Sequence, residues 1–125
     1  MKGLVYWIIL AISAITVVSG LVQMVAPGFV LGIVGVIRDT TSEQLFATIG
    51  MFMVVVGGML FQALRSATNQ QVAVFWVAMQ KFGAFVAVFI GVQRHVFSSF
   101  ALLIAIFDGL SGCLIFWYWT KIRVR

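Results

Sequence analysis

Residues Val72–Trp119 read VAVFWVAMQKFGAFVAVFIGVQRHVFSSFALLIAIFDGLSGCLIFWYW. Two long apolar runs flank a short polar turn, and each run holds one ion, Lys81 in the first and Asp108 in the second. Lys81 lies nine residues past Val72, and Asp108 nine past Ser99. At about 1.5 Å per helical residue, each is roughly 14 Å deep in a hydrocarbon layer about 30 Å thick. Consecutive membrane helices run antiparallel, so the two side chains approach the midplane from opposite faces. A lone charge at that depth costs about 2.5–3.5 kcal/mol on insertion scales. Opposite charges at matching depth are therefore expected to pair.

The rest of the chain has the same character. Of 125 residues, 63% are hydrophobic, 9% are charged and one is proline, whereas soluble domains carry roughly 25% charged residues. Four segments reach the roughly 20 apolar residues a membrane span needs: about 4–25, 44–64, 72–92 and 99–120. The expected fold is all-α, an antiparallel bundle of four transmembrane helices forming one membrane domain over 1–125. The first apolar run is longer than the core of a signal peptide, so an uncleaved first helix is expected.

Net charge is +5. Lys2, Arg65, Lys121, Arg123 and Arg125 fall at one end of such a bundle, and only Arg38 and Arg94 at the other. The positive-inside rule then places both termini in the cytoplasm, in a bacterial-type inner membrane. Tyr6, Trp7, Trp76, Trp117, Tyr118 and Trp119 gather near that same end, as an aromatic belt does. The charges form no basic stripe with interleaved aromatics, so no nucleic-acid partner is expected.

In the first helix Ser13, Thr16, Gly20 and Gln23 follow a three-four-three spacing, which gathers small and polar groups on one inward face. Pro27-Gly28 ends that helix. The run Phe29–Ile37 is too short to span, and Gly32 and Gly35 weaken it as a regular helix. An interfacial or re-entrant segment at about 29–37, covering the mouth of the bundle or lying in the lipid surface, is expected. Thr40 with Glu43, Thr41 with Gln44, and Thr68 with Gln71 stand in capping-box spacing, each marking a helix start. Small residues recur along the later helices: Gly50 and Gly57 in the second, Gly83, Ala87 and Gly91 in the third, Ala105 and Gly109 in the fourth. Such stripes let helices approach closely where lipid removes the hydrophobic drive for association.

The inventory of reactive groups is thin. His95 is the single histidine and Cys113 the single cysteine. Bis-histidine haem, a zinc or di-iron site, a CxxC pair and a serine–histidine–acid set all lack members, and there is no glycine-rich phosphate loop. No catalytic residue, metal site or dedicated cofactor is expected, and an enzyme is not. The candidate intramembrane polar site is Lys81 with Gln80, and Asp108 with Ser111. Two roles stay open for it: an ion pair that fixes helix register, or a proton or ligand site.

With Pro27-Gly28 after helix one, the Gly50…Gly57 helix after a polar loop, and single polar residues in helices three and four, the chain resembles the DoxX-like group of small four-helix membrane proteins. That resemblance implies an accessory or anchor subunit of a redox or oxidase complex, or a chaperone for other membrane proteins. The solitary Cys113 departs from the redox-linked branch, and no catalytic residue carries over. Three functions are then in view. The first is a non-catalytic integral subunit or assembly factor of a larger, possibly energy-converting, membrane complex, with other integral subunits or a second copy as partner besides the bilayer. The second is a small proton-coupled transporter of small or lipophilic solutes using Asp108. Its length is similar to that of the small multidrug transporters, although helix one here has no acid. The third is a bundle that binds lipid, quinone or pigment.

Overall fold

The computed structural model describes residues 3–35 and 38–123, and the regular structure within them is five helices joined by short turns. Helix α1 spans Leu4–Val25, α2 Pro27–Val34, α3 Thr40–Arg65, α4 Gln71–Gln93 and α5 Ala101–Ile122. All but α2 are long and apolar enough to cross a membrane. Val36 and Ile37 of the expected short segment lie outside the described residues, as do Lys2 and Arg125 among the flanking basic groups.

The four long helices form two close pairs, α1 with α3 and α4 with α5, joined by a much thinner seam. The α1–α3 pair crosses where both helices lack side chains. A Cβ on Gly20 would stand 2.6 Å from the Gly50 carbonyl, and one on Gly50 would stand 2.7 Å from the Gly20 carbonyl. Gly57 lies against the Ser13 carbonyl and Val17 in the same interface. Two side chains bracket it: Tyr6 donates to the Leu64 carbonyl at 2.9 Å, and Gln23 to the Phe46 carbonyl at 2.8 Å. Ser13, Thr16, Gly20 and Gln23 are all buried on this face.

Across the seam the apolar core gathers at the end that carries the two chain termini, where Tyr6, Ile9, Leu60, Leu64, Val77 and Ile115 pack together. Asn69 in the α3–α4 turn donates to the Ile122 carbonyl at 2.8 Å, fastening that turn to the end of α5.

At the opposite end α2 lies across the bundle. Proline at its first turn suits a position that needs no N–H donor. The helix continues through Gly32 and stops at Val34, with Gly35 extended, so of the two glycines expected to weaken it only Gly35 ends it. Tertiary contacts outweigh the glycine penalty. Gly28 and Gly32 stand one turn apart and clear a strip for the Arg38–Glu43 ion pair: an added Cβ would meet the Glu43 carboxylate at 3.2 Å or the Arg38 guanidinium at 3.0 Å. Ser98 in the α4–α5 turn donates to the last carbonyls of α2, from its N–H to Val34 at 2.7 Å and from its hydroxyl to Ile33 at 3.1 Å. Gly35 and Phe97 add an isolated antiparallel bridge.

The helix starts differ from the capping boxes. Asp39, not a threonine, caps α3, accepting from the Ser42 N–H at 2.8 Å and extending the helix four residues beyond the expected Gln44. That contact favours the ionised carboxylate and holds Asp39 below the usual carboxylate range. Thr68 caps nothing: its hydroxyl bonds with Ser66 and Gln70, and α4 begins without a side-chain cap. Here the local Ser66–Gln70 turn competes successfully with the capping geometry. Turns of i→i+3 type over Ser98–Leu103 lead into α5, whose regular part starts two residues later than expected.

Candidate functional site

Lys81 belongs to α4 and Asp108 to α5, and their charged ends lie 3.2 Å apart. The late start of α5 puts Asp108 only seven residues past Ala101, about 10 Å along the axis rather than 14 Å. Gly112 brings the two helices close enough for the ion pair: a Cβ there would meet the Lys81 Cβ at 3.2 Å and the Phe82 ring at 3.0 Å. Gly109 does likewise a turn further outward, against Phe85, and Ala105 is fully buried beyond it. Ridges of phenylalanine on α4 thus sit in a glycine groove on α5.

A third residue completes the site. Thr16 of α1 accepts a hydrogen bond from Lys81 Nζ at 2.9 Å, while its own hydroxyl donates back to the Ile12 carbonyl at 2.9 Å. The ammonium therefore has two oxygen partners, and the Phe107 ring lies 5.5 Å from it with its negative face available. Because α1 belongs to one helix pair and α4–α5 to the other, the Lys81–Thr16 bond spans the thin seam. Composition marked Thr16 as inward-facing, but only the cross-helix register, sixty-five residues apart in sequence, identifies it as a partner of Lys81.

The remaining predicted members are not drawn into this cluster. Gln80 flanks Lys81 in sequence but diverges from it by a helical step, and its Oε1 is buried without a hydrogen bond. Ser111 lies one turn from Asp108 on the same face of α5 and is 3% exposed, also without a hydrogen bond among the described residues. The small-residue positions divide. Gly50, Gly57, Gly91, Ala105 and Gly109 each face a neighbour within the chain, Gly91 against the Phe97 ring. Gly83 and Ala87 are exposed, and a Cβ on Gly83 would meet nothing within 4 Å among the described residues. The glycines of α5 instead meet Lys81, Phe82 and Phe85 of α4.

The arrangement neutralises two charges inside the bundle and ties α4 to both α1 and α5 through one ammonium. Among the described residues no group of three His, Cys, Asp or Glu side chains could hold a metal ion. Compared with protein-family models, with curated proteins and with solved structures, the chain gives no match.

Proposed function

We propose that this chain is a non-catalytic integral subunit or assembly factor of a larger membrane complex. The observation that carries the reading is the face of α4 where Gly83 and Ala87 stand one turn apart, both exposed, and where a Cβ on Gly83 would meet nothing within 4 Å among the described residues. Glycine in the middle of a helix costs roughly 0.5–1 kcal/mol relative to alanine. In a membrane that cost is commonly offset by the close approach of another helix. Among the described residues no helix fills the role at Gly83, so the face awaits one from elsewhere. Burial within the chain reaches no more than 33% of the most apolar stretch of any long helix, which leaves ample surface for lipid and partner.

The pattern-level resemblance to DoxX-like proteins, whose members look like accessory subunits, supports the same assignment. So does the ion pair. A proton-coupled carrier needs a carboxylate free to cycle, whereas Asp108 is neutralised by an ammonium that Thr16 also holds. Arg65, Lys121 and Arg123 share one end of the bundle, and by the positive-inside rule that end, with both termini, faces the cytoplasm.

Photo-crosslinking tests the proposal. A photoreactive residue replacing Ala87 should capture a second membrane polypeptide in native membranes, while one replacing Leu103, exposed on a different helix, should capture lipid. Lipid adducts from both positions, with the chain purifying alone, would count against the proposal.

A further inference from the structure

The end of the bundle formed by the α3–α4 turn and the last turn of α5 holds cations without acids. Arg65, Lys121 and Arg123 are exposed there, and none has an ion-pair partner among the described residues. The acidic residues of the chain all lie elsewhere. Asp39 and Glu43 offset Arg38 and Arg94 at the opposite end, and Asp108 is taken by Lys81. One end is balanced, and the other is left positive.

These cations border a cleft. About 350 Å³ of space opens between the α3–α4 turn and α5, with Leu64, Ser66, Thr68, Gln70, Tyr118 and Ile122 in its walls. That volume falls in the range of small-molecule sites. The Asn69 amide, bonded to the Ile122 carbonyl, ties the two walls together. On α5, Tyr118 and Ile122 form the row that faces the cleft, and a cation flanks it on each side. Lys121 Nζ lies 5.1 Å from the Trp117 ring centroid, and the Arg123 guanidinium 5.0 Å from that of Trp119. Each indole draws its cation back along α5 toward the apolar span. Arg65 sits between the lining residues Leu64 and Ser66 on the other wall. The Ser66 and Thr68 hydroxyls share one hydrogen bond and accept from Gln70, which leaves one hydroxyl proton without an acceptor among the described residues.

The chemistry of an occupant follows. Unpaired cations select an anion, and arginine, lysine and hydroxyl donors together match the oxygens of a phosphate. The cleft lies where apolar spans end and tryptophans gather, the level of lipid headgroups. A zwitterionic headgroup brings a cation of its own, which these three charges repel. We propose that the cleft seats the phosphate of an acidic phospholipid, with Arg65, Lys121 and Arg123 around it. An acyl chain then runs down the exposed row of Trp117, Cys113 and Leu110 beneath Lys121.

Native mass spectrometry of the full chain, released from detergent with phosphatidylglycerol and phosphatidylcholine of identical acyl chains in equal amounts, tests this. Phosphatidylglycerol should be retained at least about five-fold over phosphatidylcholine, and excess inorganic phosphate should leave it bound. Arg65→Gln, Lys121→Gln and Arg123→Gln should each lower that preference at least about two-fold. Arg94→Gln, an equal loss of charge at the opposite end, should not. Ala67→Trp crowds the cleft while keeping every charge, and should also lower the preference. All five altered residues are exposed, so the fold is expected to survive, and the lipid comparison on the unaltered protein needs no variant. Equal retention of the two lipids, an equal effect of Arg94→Gln, or full preference in Ala67→Trp would overturn the proposal and leave only a diffuse positive surface. Displacement by inorganic phosphate would overturn the lipid as the source and assign the cleft to the free anion.

Discussion

Lys81 on α4 and Thr16 on α1 are joined by a 2.9 Å hydrogen bond that crosses the seam between the two helix pairs. Packing is dense within each pair and sparse between them, so this bond, with the Asn69 tie to the Ile122 carbonyl, holds a large share of the polar contact across the seam. Thr16→Val keeps the shape and removes the acceptor. It should cost about 1 kcal/mol, within the range for hydrogen bonds between membrane helices. Thr16→Ser should be close to neutral. Reversible unfolding in mixed micelles measures both, and a Thr16→Val protein as stable as the parent would show that the bond contributes nothing.

Glycines that look alike in sequence should behave in opposite ways. At Gly20 an added methyl meets the backbone of Gly50, which cannot yield without separating the helices, and Gly20→Ala should destabilise by about 1–3 kcal/mol. At Gly83 the methyl meets nothing, and Gly83→Ala should stabilise the isolated chain by about 0.5–1 kcal/mol. The larger Gly83→Leu should leave the chain folded but end the crosslink from position 87. The same micelle unfolding assay, run beside the crosslinking, tests the contrast.

His95 follows the α4 C-cap with φ of 60°. Its N–H donates to the Val92 carbonyl, and the Val96 N–H to the Gly91 carbonyl, which together make a Schellman turn. The left-handed conformation costs a non-glycine residue about 1–2 kcal/mol. His95→Gly should accordingly stabilise the chain by about 1 kcal/mol, read as a shift of the unfolding midpoint. A loss of stability instead would assign the histidine side chain a contact of its own.

The Asp39 cap carries a pH dependence whose sign follows from its hydrogen bond. Donation from the Ser42 N–H favours the carboxylate, so its pKa in the folded protein is below the unfolded value. The stabilisation of the first turn of α3 is complete above about pH 4 and is lost as pH falls through the lowered value. Amide exchange at Ser42 and Glu43 should accelerate below that range, after correction for intrinsic rates. Asp39→Asn, which caps without ionising, should remove the step.

Much of this architecture was legible because membrane insertion imposes simple rules. Apolar length located four helices, and matching burial depth paired Lys81 with Asp108 before any contact was known. The three-four-three spacing of Ser13, Thr16, Gly20 and Gln23 also reported a truly inward face. Periodicity along one helix cannot, however, say which other helix that face meets. Thr16 as the second acceptor for Lys81, and Gly112 as the notch beneath it, depend on registers between distant segments. Nor does a small-residue stripe declare whether its partner lies within the chain: Gly50 and Gly83 read alike, and only the first is filled. Asp39 was legible as a residue that favours a helix N-terminus, but two threonines at capping-box spacing left open which side chain makes the cap.

The direct test of the buried pair is a double-mutant cycle on Lys81→Met and Asp108→Asn, with unfolding free energy measured in micelles or bicelles. Each single change strands the opposite charge and should cost about 3–5 kcal/mol, the range for breaking a buried ion pair. The double variant should be less damaging than the sum of the two, with a coupling of at least about 1 kcal/mol. Losses that add, with the double variant as damaged as both singles combined, would contradict mutual neutralisation as what holds these two ions inside the bundle.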